Sequence, residues 1–143
     1  MPTSQLVLQR YIDLLERNEL DAAFNYLAED VIYVTWLGIV EGKDNVVTFL
    51  RDNVRFMHFR TNFNRWRSVQ HCLDADLKTF GTPGSSETSF FNQEGYDSQG
   101  YATYERDGTV AKYAKAPLEH YRVKQTVVIR DNQIVLVTLT QQL

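Results

Sequence analysis

The chain has 143 residues, 43% of them hydrophobic and 23% charged, and a net charge of −3. That length supports one domain with a real core and is too short for two. The acidic balance excludes a field that would draw nucleic acid or an anionic membrane. A single cysteine, Cys72, excludes an intrachain disulfide and points to a reducing, cytoplasmic setting. No apolar run approaches membrane-spanning length, and His58, His71 and His120 fit no metal-ligand spacing.

In chain order, Val7, Leu8, Tyr11, Ile12, Leu14 and Leu15 recur at three- and four-residue steps, which predicts an amphipathic helix. Ser4 is suited to cap its start, and Asn18, tolerant of a left-handed backbone, to end it. Asp21 then caps a second short helix that buries Ala23, Phe24 and Leu27. Val31 to Trp36 is β-branched and aromatic, hence a strand; Leu37-Gly38 turns the chain and Ile39 to Glu41 returns as its partner. Gly42 opens a third helix with Val46, Phe49, Leu50, Val54 and Met57 on one face and Asp44 at the positive end of its dipole. From Arg60 to Leu73 the pattern is strand-like but out of phase, since Phe63, Trp66 and Val69 do not alternate; a β-bulge accounts for this. The GTPGSSETS segment within residues 74–89 reads as an exposed loop. Phe90 and Phe91 either begin the next strand or form a lid. Gln99 to Glu105 reads as a strand, Asp107-Gly108 as a hairpin turn, and Thr109 to Arg130 as a long strand broken at Ala116-Pro117. Asp131-Asn132 turns into a last strand, Ile134 to Thr140. Three helices followed by long strands make an α+β order.

LQRYIDLLERNELDAAFNYLAEDVIYVTWLG, from Leu8 to Gly38, together with EGKDNVVTFL, from Glu41 to Leu50, resembles the opening of the nuclear transport factor 2-like superfamily. Within it the likeness is to the SnoaL-like cyclase and ketosteroid isomerase branch. That resemblance implies a cone-shaped, curved antiparallel sheet of about six strands wrapped around three N-terminal helices, residues 1–143 forming one such domain with a pocket at its wide end. In the isomerases a strand carboxylate moves a proton while a tyrosine and a protonated carboxylic acid stabilise the enolate. Ungapped alignment puts Tyr11 on the oxyanion-hole tyrosine and Thr35 where the family has its aspartate base. A threonine hydroxyl takes no proton at neutral pH unaided, so this departure argues against the familiar steroid isomerisation. The third position has two placements. Pro117-Leu118-Glu119-His120-Tyr121-Arg122 resembles the family's late segment and makes Glu119 the acid; counting back from the Asp131 turn makes it Gln125. Six residues apart, both face the same side of an unbroken strand, with Tyr121, Val123, Val127 and Ile129. Tyr33, Thr35, Trp36, Phe49, Phe63 and Tyr121 are the expected pocket lining.

The activity this implies is a cofactor-free isomerisation, cyclisation or dehydration of an apolar oxygenated small molecule, polyketide- or terpenoid-like, by proton transfer. No metal and no nucleic acid enter, and two copies are expected to pair through the open sheet. The alternative is a non-catalytic module that binds a ligand or dimerises, which the missing base favours. A dehydrating branch, the scytalone dehydratases, is similar around Arg60 to Trp66, but where it has a catalytic histidine this chain has Phe63. Arg51, Arg55, Arg60, Arg65 and Arg67 interleave with Phe56, Phe59, Phe63 and Trp66, a pattern also used on single-stranded nucleic acid; given the acidic balance, a cationic rim recognising a carboxylate or enolate is the better reading.

Overall fold

A computed structural model of the chain describes residues 2–36, 38–58, 61–69, 94–111 and 120–142. Helix α1 (Thr3–Glu16) buries Val7, Leu8, Tyr11, Ile12 and Leu15, the face its spacing dictates. Asn18 ends it at φ 59°. There the Asn18 N–H bonds the Leu15 carbonyl at 3.0 Å and the Glu19 N–H bonds the Leu14 carbonyl at 2.9 Å, the paired bonds of a Schellman ending. The start differs from expectation. The helix begins after Pro2 without a side-chain cap, and Ser4 lies inside it, fully buried, its hydroxyl hydrogen-bonded at 2.7 Å to that of Tyr104. A serine engaged with a buried phenol is not available as a cap. Asp21 is no cap either: α2 (Leu20–Phe24) starts from Glu19, and the Asp21 carboxylate pairs with Arg51 at 2.6 Å.

The strands are β1 (Leu27–Thr35), β2 (Gly38–Glu41), β3 (Thr61–Phe63), β4 (Arg67–Ser68), β5 (Tyr101–Ala111), β6 (His120–Arg130) and β7 (Gln133–Gln141), with α3 (Lys43–His58) between β2 and β3. They form one sheet in the order β2-β1-β7-β6-β5-β3, with β4 also on β5. The sheet is mixed rather than antiparallel. β1 and β7 run parallel, Tyr33 opposite Val137 and Val34 opposite Thr138, while the other pairs are antiparallel. Direction in a pair so distant in sequence is set by tertiary packing, and local strand patterns do not encode it. Register shifts between Leu27 and Ile32 in β1 and between Val128 and Ile129 in β6 bend the sheet around α1, as bulges do. The Asp131-Asn132 turn is as expected, both residues at positive φ of 51° and 60°, the twist that suits a tight hairpin.

The expected bulge in the Arg60 to Leu73 stretch is present. Phe63 pairs Gly108 and Arg67 pairs Glu105, so four residues on one side span three on the other. On an unbroken strand, residues 63 and 66 would face opposite sides; the extra residue brings both rings to the same side. The Asp107-Gly108 hairpin, by contrast, is absent: β5 runs straight through it, paired with β6 throughout. Gly108 serves a close approach instead. A Cβ there would fall on the Phe63 ring and 2.7 Å from the Asn62 carbonyl oxygen. The 74–89 loop, Phe90, Phe91 and the Ala116-Pro117 break lie outside the described residues. Among the described residues no helix is long and apolar enough to cross a membrane.

Gly108→Ala is expected to lower unfolding stability by about 1–3 kcal/mol, as overpacking against backbone does. Urea denaturation followed by circular dichroism measures it; an unchanged midpoint would remove Gly108 from the packing of β3 on β5.

Candidate functional site

Alternation along each strand decides what the concave side of the sheet carries. On β5 the inward residues are Ala102, Tyr104, Arg106 and Gly108, on β6 Val123, Gln125, Val127 and Ile129, on β7 Val137 and Leu139, and on β1 Val31, Tyr33 and Thr35, all buried. Register aligns them in rows. Arg106 lies opposite Gln125 and Gln125 opposite Leu139; Thr35 follows Val34, which pairs Thr138, and so stands level with Leu139. One row therefore runs Thr35, Leu139, Gln125, Arg106, and the row beneath it runs Tyr33, Val137, Val127, Tyr104.

Arg106 dominates the electrostatics. It is only 9% exposed. Its guanidinium carbon lies 3.9 Å from the centre of the Phe63 ring and 4.2 Å from that of Trp66, and its Nε donates to Gln125 Oε1 at 2.8 Å. Two aromatic faces and one amide thus hold a cation that, among the described residues, no carboxylate pairs. Burial lowers its pKa to about 10, opposed by the charges of Glu16 and Tyr33, so it stays cationic at neutral pH. Cation–π contact offsets part of the desolvation, on the order of 1–2 kcal/mol per ring; burying a charge without a counter-ion costs more than that.

Tyr11 lies in the same interior, 2% exposed. Its hydroxyl is the one buried side-chain polar atom without a hydrogen-bond partner among the described residues. Burial, and then the proximity of Tyr33, raise its pKa well above the usual phenol value, so it acts as a neutral donor. Tyr33 is pushed to about 12 by burial, with Arg106 pulling the other way. The Tyr33 ring packs 5.7 Å from that of Phe49.

Of the residues expected from sequence, Tyr11, Tyr33, Thr35, Phe49, Phe63 and Gln125 fall on or beside this inner surface. Trp36 does not: one position past Thr35, it turns outward and is 49% exposed. Glu119 and the Tyr121 side chain lie outside the described residues. Of the arginines expected to form a rim, the Arg55 side chain and Arg60 lie outside the described residues, and Arg51 and Arg67 are engaged elsewhere. Arg51 pairs Asp21, and Arg67 bridges Glu105 and Asp107 at 2.8 Å each on the outer side. The sequence reading missed Arg106 and, as a site residue, Trp66. The signal for Arg106 was the phase of Ala102, Tyr104, Arg106 and Gly108, which the supposed turn at Asp107 concealed. Among the described residues no three His, Cys, Asp or Glu side chains cluster as metal ligands.

Replacing Arg106 by Met together with Gln125 by Leu removes the buried charge and its amide partner at once. The double variant is expected to be as stable as the parent or more so at neutral pH, whereas Gln125→Leu alone, which strips a partner from the cation, should lower stability by about 1–3 kcal/mol. Thermal unfolding at pH 7 checks both.

No family model matches the sequence, and no curated protein is recognisably similar to it. Solved structures are similar in shape. One, from Xanthomonas campestris pv. campestris, is described as "a putative polyketide cyclase"; it shares 16% identity over 98% of this chain and 90% of its own, with a TM-score of 0.57. A protein of the same description from a Silicibacter species gives 16% identity, 99% and 90% coverage and a TM-score of 0.55. A nuclear transport factor 2-like protein with a cystatin-like fold from Novosphingobium aromaticivorans gives 10% identity, 97% and 79% coverage and a TM-score of 0.57. At such identities the likeness speaks for the fold and leaves the chemistry to be argued from the residues. A curved sheet closed by α1, matched over nearly the whole chain by these structures, makes this an α+β protein of the nuclear transport factor 2-like fold.

Proposed function

We propose that the chain is a cofactor-independent enzyme that moves a proton on an apolar, carbonyl-bearing small molecule, the chemistry of isomerisation, cyclisation or dehydration. The observation that carries this reading is the Tyr11 hydroxyl, desolvated and without an acceptor. A buried donor left unmade costs about 1–3 kcal/mol, and the arrival of a carbonyl oxygen recovers it. Because the phenol remains neutral, it donates to the oxygen as negative charge develops there, which is how a preorganised donor favours a transition state over its ground state. The charge of Arg106 adds to that stabilisation through a low-dielectric interior. In the ligand-free chain the Tyr11 hydroxyl is shielded, so a substrate reaches it by displacing the side chains that cover it. Glu119 is the carboxylic acid we assign to assist Tyr11 at the developing oxyanion; Thr35, on the inward face of β1, takes no proton. Two copies pair through the outer face of the sheet, whose β1–β2 edge exposes Trp36 and Ile39 at 49% and 66%.

A second reading, a ligand-binding module without catalysis, is favoured by one observation: the buried polar and charged residues described are Ser4, Thr35, Arg106 and Gln125, with no carboxylate among them. Deuterium uptake at the α-carbon of 2-tetralone in heavy water, followed by proton NMR, separates the two. The enzyme reading expects uptake above the buffer rate. Tyr11→Phe should slow it at least about tenfold while leaving unfolding stability equal or higher, since no hydrogen bond is lost. Glu119→Gln should slow it as well. Tight binding of the ketone without any exchange would establish the module instead, and native mass spectrometry of the same sample reads the dimer.

A further inference from the structure

Resting on the reading of the concave face as a substrate site, we infer that the ligand carries a carboxylate and that Arg106 receives it, so the substrate class is an oxo- or hydroxy-carboxylic acid with an apolar body. Tyr11 accounts for one oxygen of such a molecule; Arg106 accounts for a second, charged one. The geometry leaves little else for Arg106 to do. Phe63 and Trp66 cover the faces of the guanidinium at 3.9 and 4.2 Å, and Gln125 occupies Nε. What remains is the planar edge formed by the two terminal nitrogens, which among the described residues make no hydrogen bond or ion pair. Tyr11 Oη is the one sealed and unpartnered polar atom described, so those nitrogens retain contact with open space although the residue is 9% exposed.

A planar fork with both N–H groups directed the same way matches the two oxygens of a carboxylate. Nothing else among the described residues of this surface favours a phosphate. Described inward positions on β1, β5, β6 and β7 supply no lysine and no second arginine, and the sequence contains no phosphate-binding glycine motif. A structural role for Arg106 alone would pair it with an acid, as Arg67 is paired with Glu105 and Asp107 and Arg130 with Asp30. Tyr11 packs in the same buried cluster as Tyr33 and Tyr104, whose row on the sheet adjoins the row that holds Arg106.

Calorimetric titration with 2-naphthoate and with 2-naphthamide, its neutral isostere, tests the assignment on the intact wild-type chain. The carboxylate is expected to bind at least about tenfold more tightly than the amide, and more tightly than 2-naphthyl phosphate. In Arg106→Met that preference should fall to about one, with amide binding retained; Arg106→Lys, which keeps the charge and loses the fork, should show an intermediate ratio. Equal affinity of wild type for acid and amide overturns the carboxylate inference and leaves the substrate-site reading standing. Preference for the phosphate replaces the carboxylate with a phosphoryl group and overturns it too. An undiminished preference in Arg106→Met removes Arg106 as the receptor. Failure of all three probes to bind overturns the inference and the site reading together, whereas deuterium exchange on 2-tetralone addresses catalysis independently.

Discussion

The stacking of the Arg106 guanidinium between Phe63 and Trp66 is the contact on which the interior of this protein turns. It exists only because three features of the chain agree. β5 runs unbroken, so that Arg106 shares the inward phase of Tyr104. One surplus residue between β3 and β4 puts Phe63 and Trp66 on a common side. Gly108, with no side chain, lets Phe63 lie down across the strand. Remove any of these and the cation would face either water or bare aliphatic surface.

Energetically the described interior holds two groups that a core optimised only for stability would not keep: a charge without an ion pair and a hydroxyl without a hydrogen bond among the described residues. Both are tolerated because the surrounding scaffold is otherwise well filled. α1 contributes five large apolar or aromatic side chains to the core, each worth roughly 1.5–3 kcal/mol when fully removed from water, and the sheet supplies Leu27, Val31, Val123, Val127, Ile129, Ile134, Val137 and Leu139 at 1% exposure or less. Hydrophobic closure of the narrow part of the fold thus supports polar strain in the row of Thr35, Gln125 and Arg106. Sites of this kind are where local rules are broken in exchange for function.

Much of the scaffold was legible in the residues. The apolar face of α1, the Asn18 ending, the β1–β2 return and the Asp131-Asn132 turn follow from short-range chemistry, and short-range chemistry is what a sequence displays most directly. The losses have a common origin as well. Ser4 looks like a cap until Tyr104, a hundred residues away, claims its hydroxyl. Asp107-Gly108 carries the strongest two-residue turn signal in the chain, yet its glycine answers to Phe63 on another strand. The parallel sense of β1 against β7 joins opposite ends of the chain. In each case a long-range partner overrode a local preference. The out-of-phase aromatics between Arg60 and Leu73 show the converse: a long-range requirement left its mark on the local pattern, and the bulge could be read from it.

Thr35 and Arg106 stand at opposite ends of one inward row of the sheet. A carboxylate at position 35 would put an anion in the same low-dielectric interior as Arg106, whereas threonine adds none. With threonine there and glutamine at position 125, the described interior has a cation and no anion. Glu16, exposed at the end of α1, has a charge that acts on the guanidinium without forming an ion pair with it, so among the described residues the terminal nitrogens carry no direct counter-ion. On the proposed reading, a threonine at position 35 leaves the terminal nitrogens of Arg106 to a charged ligand.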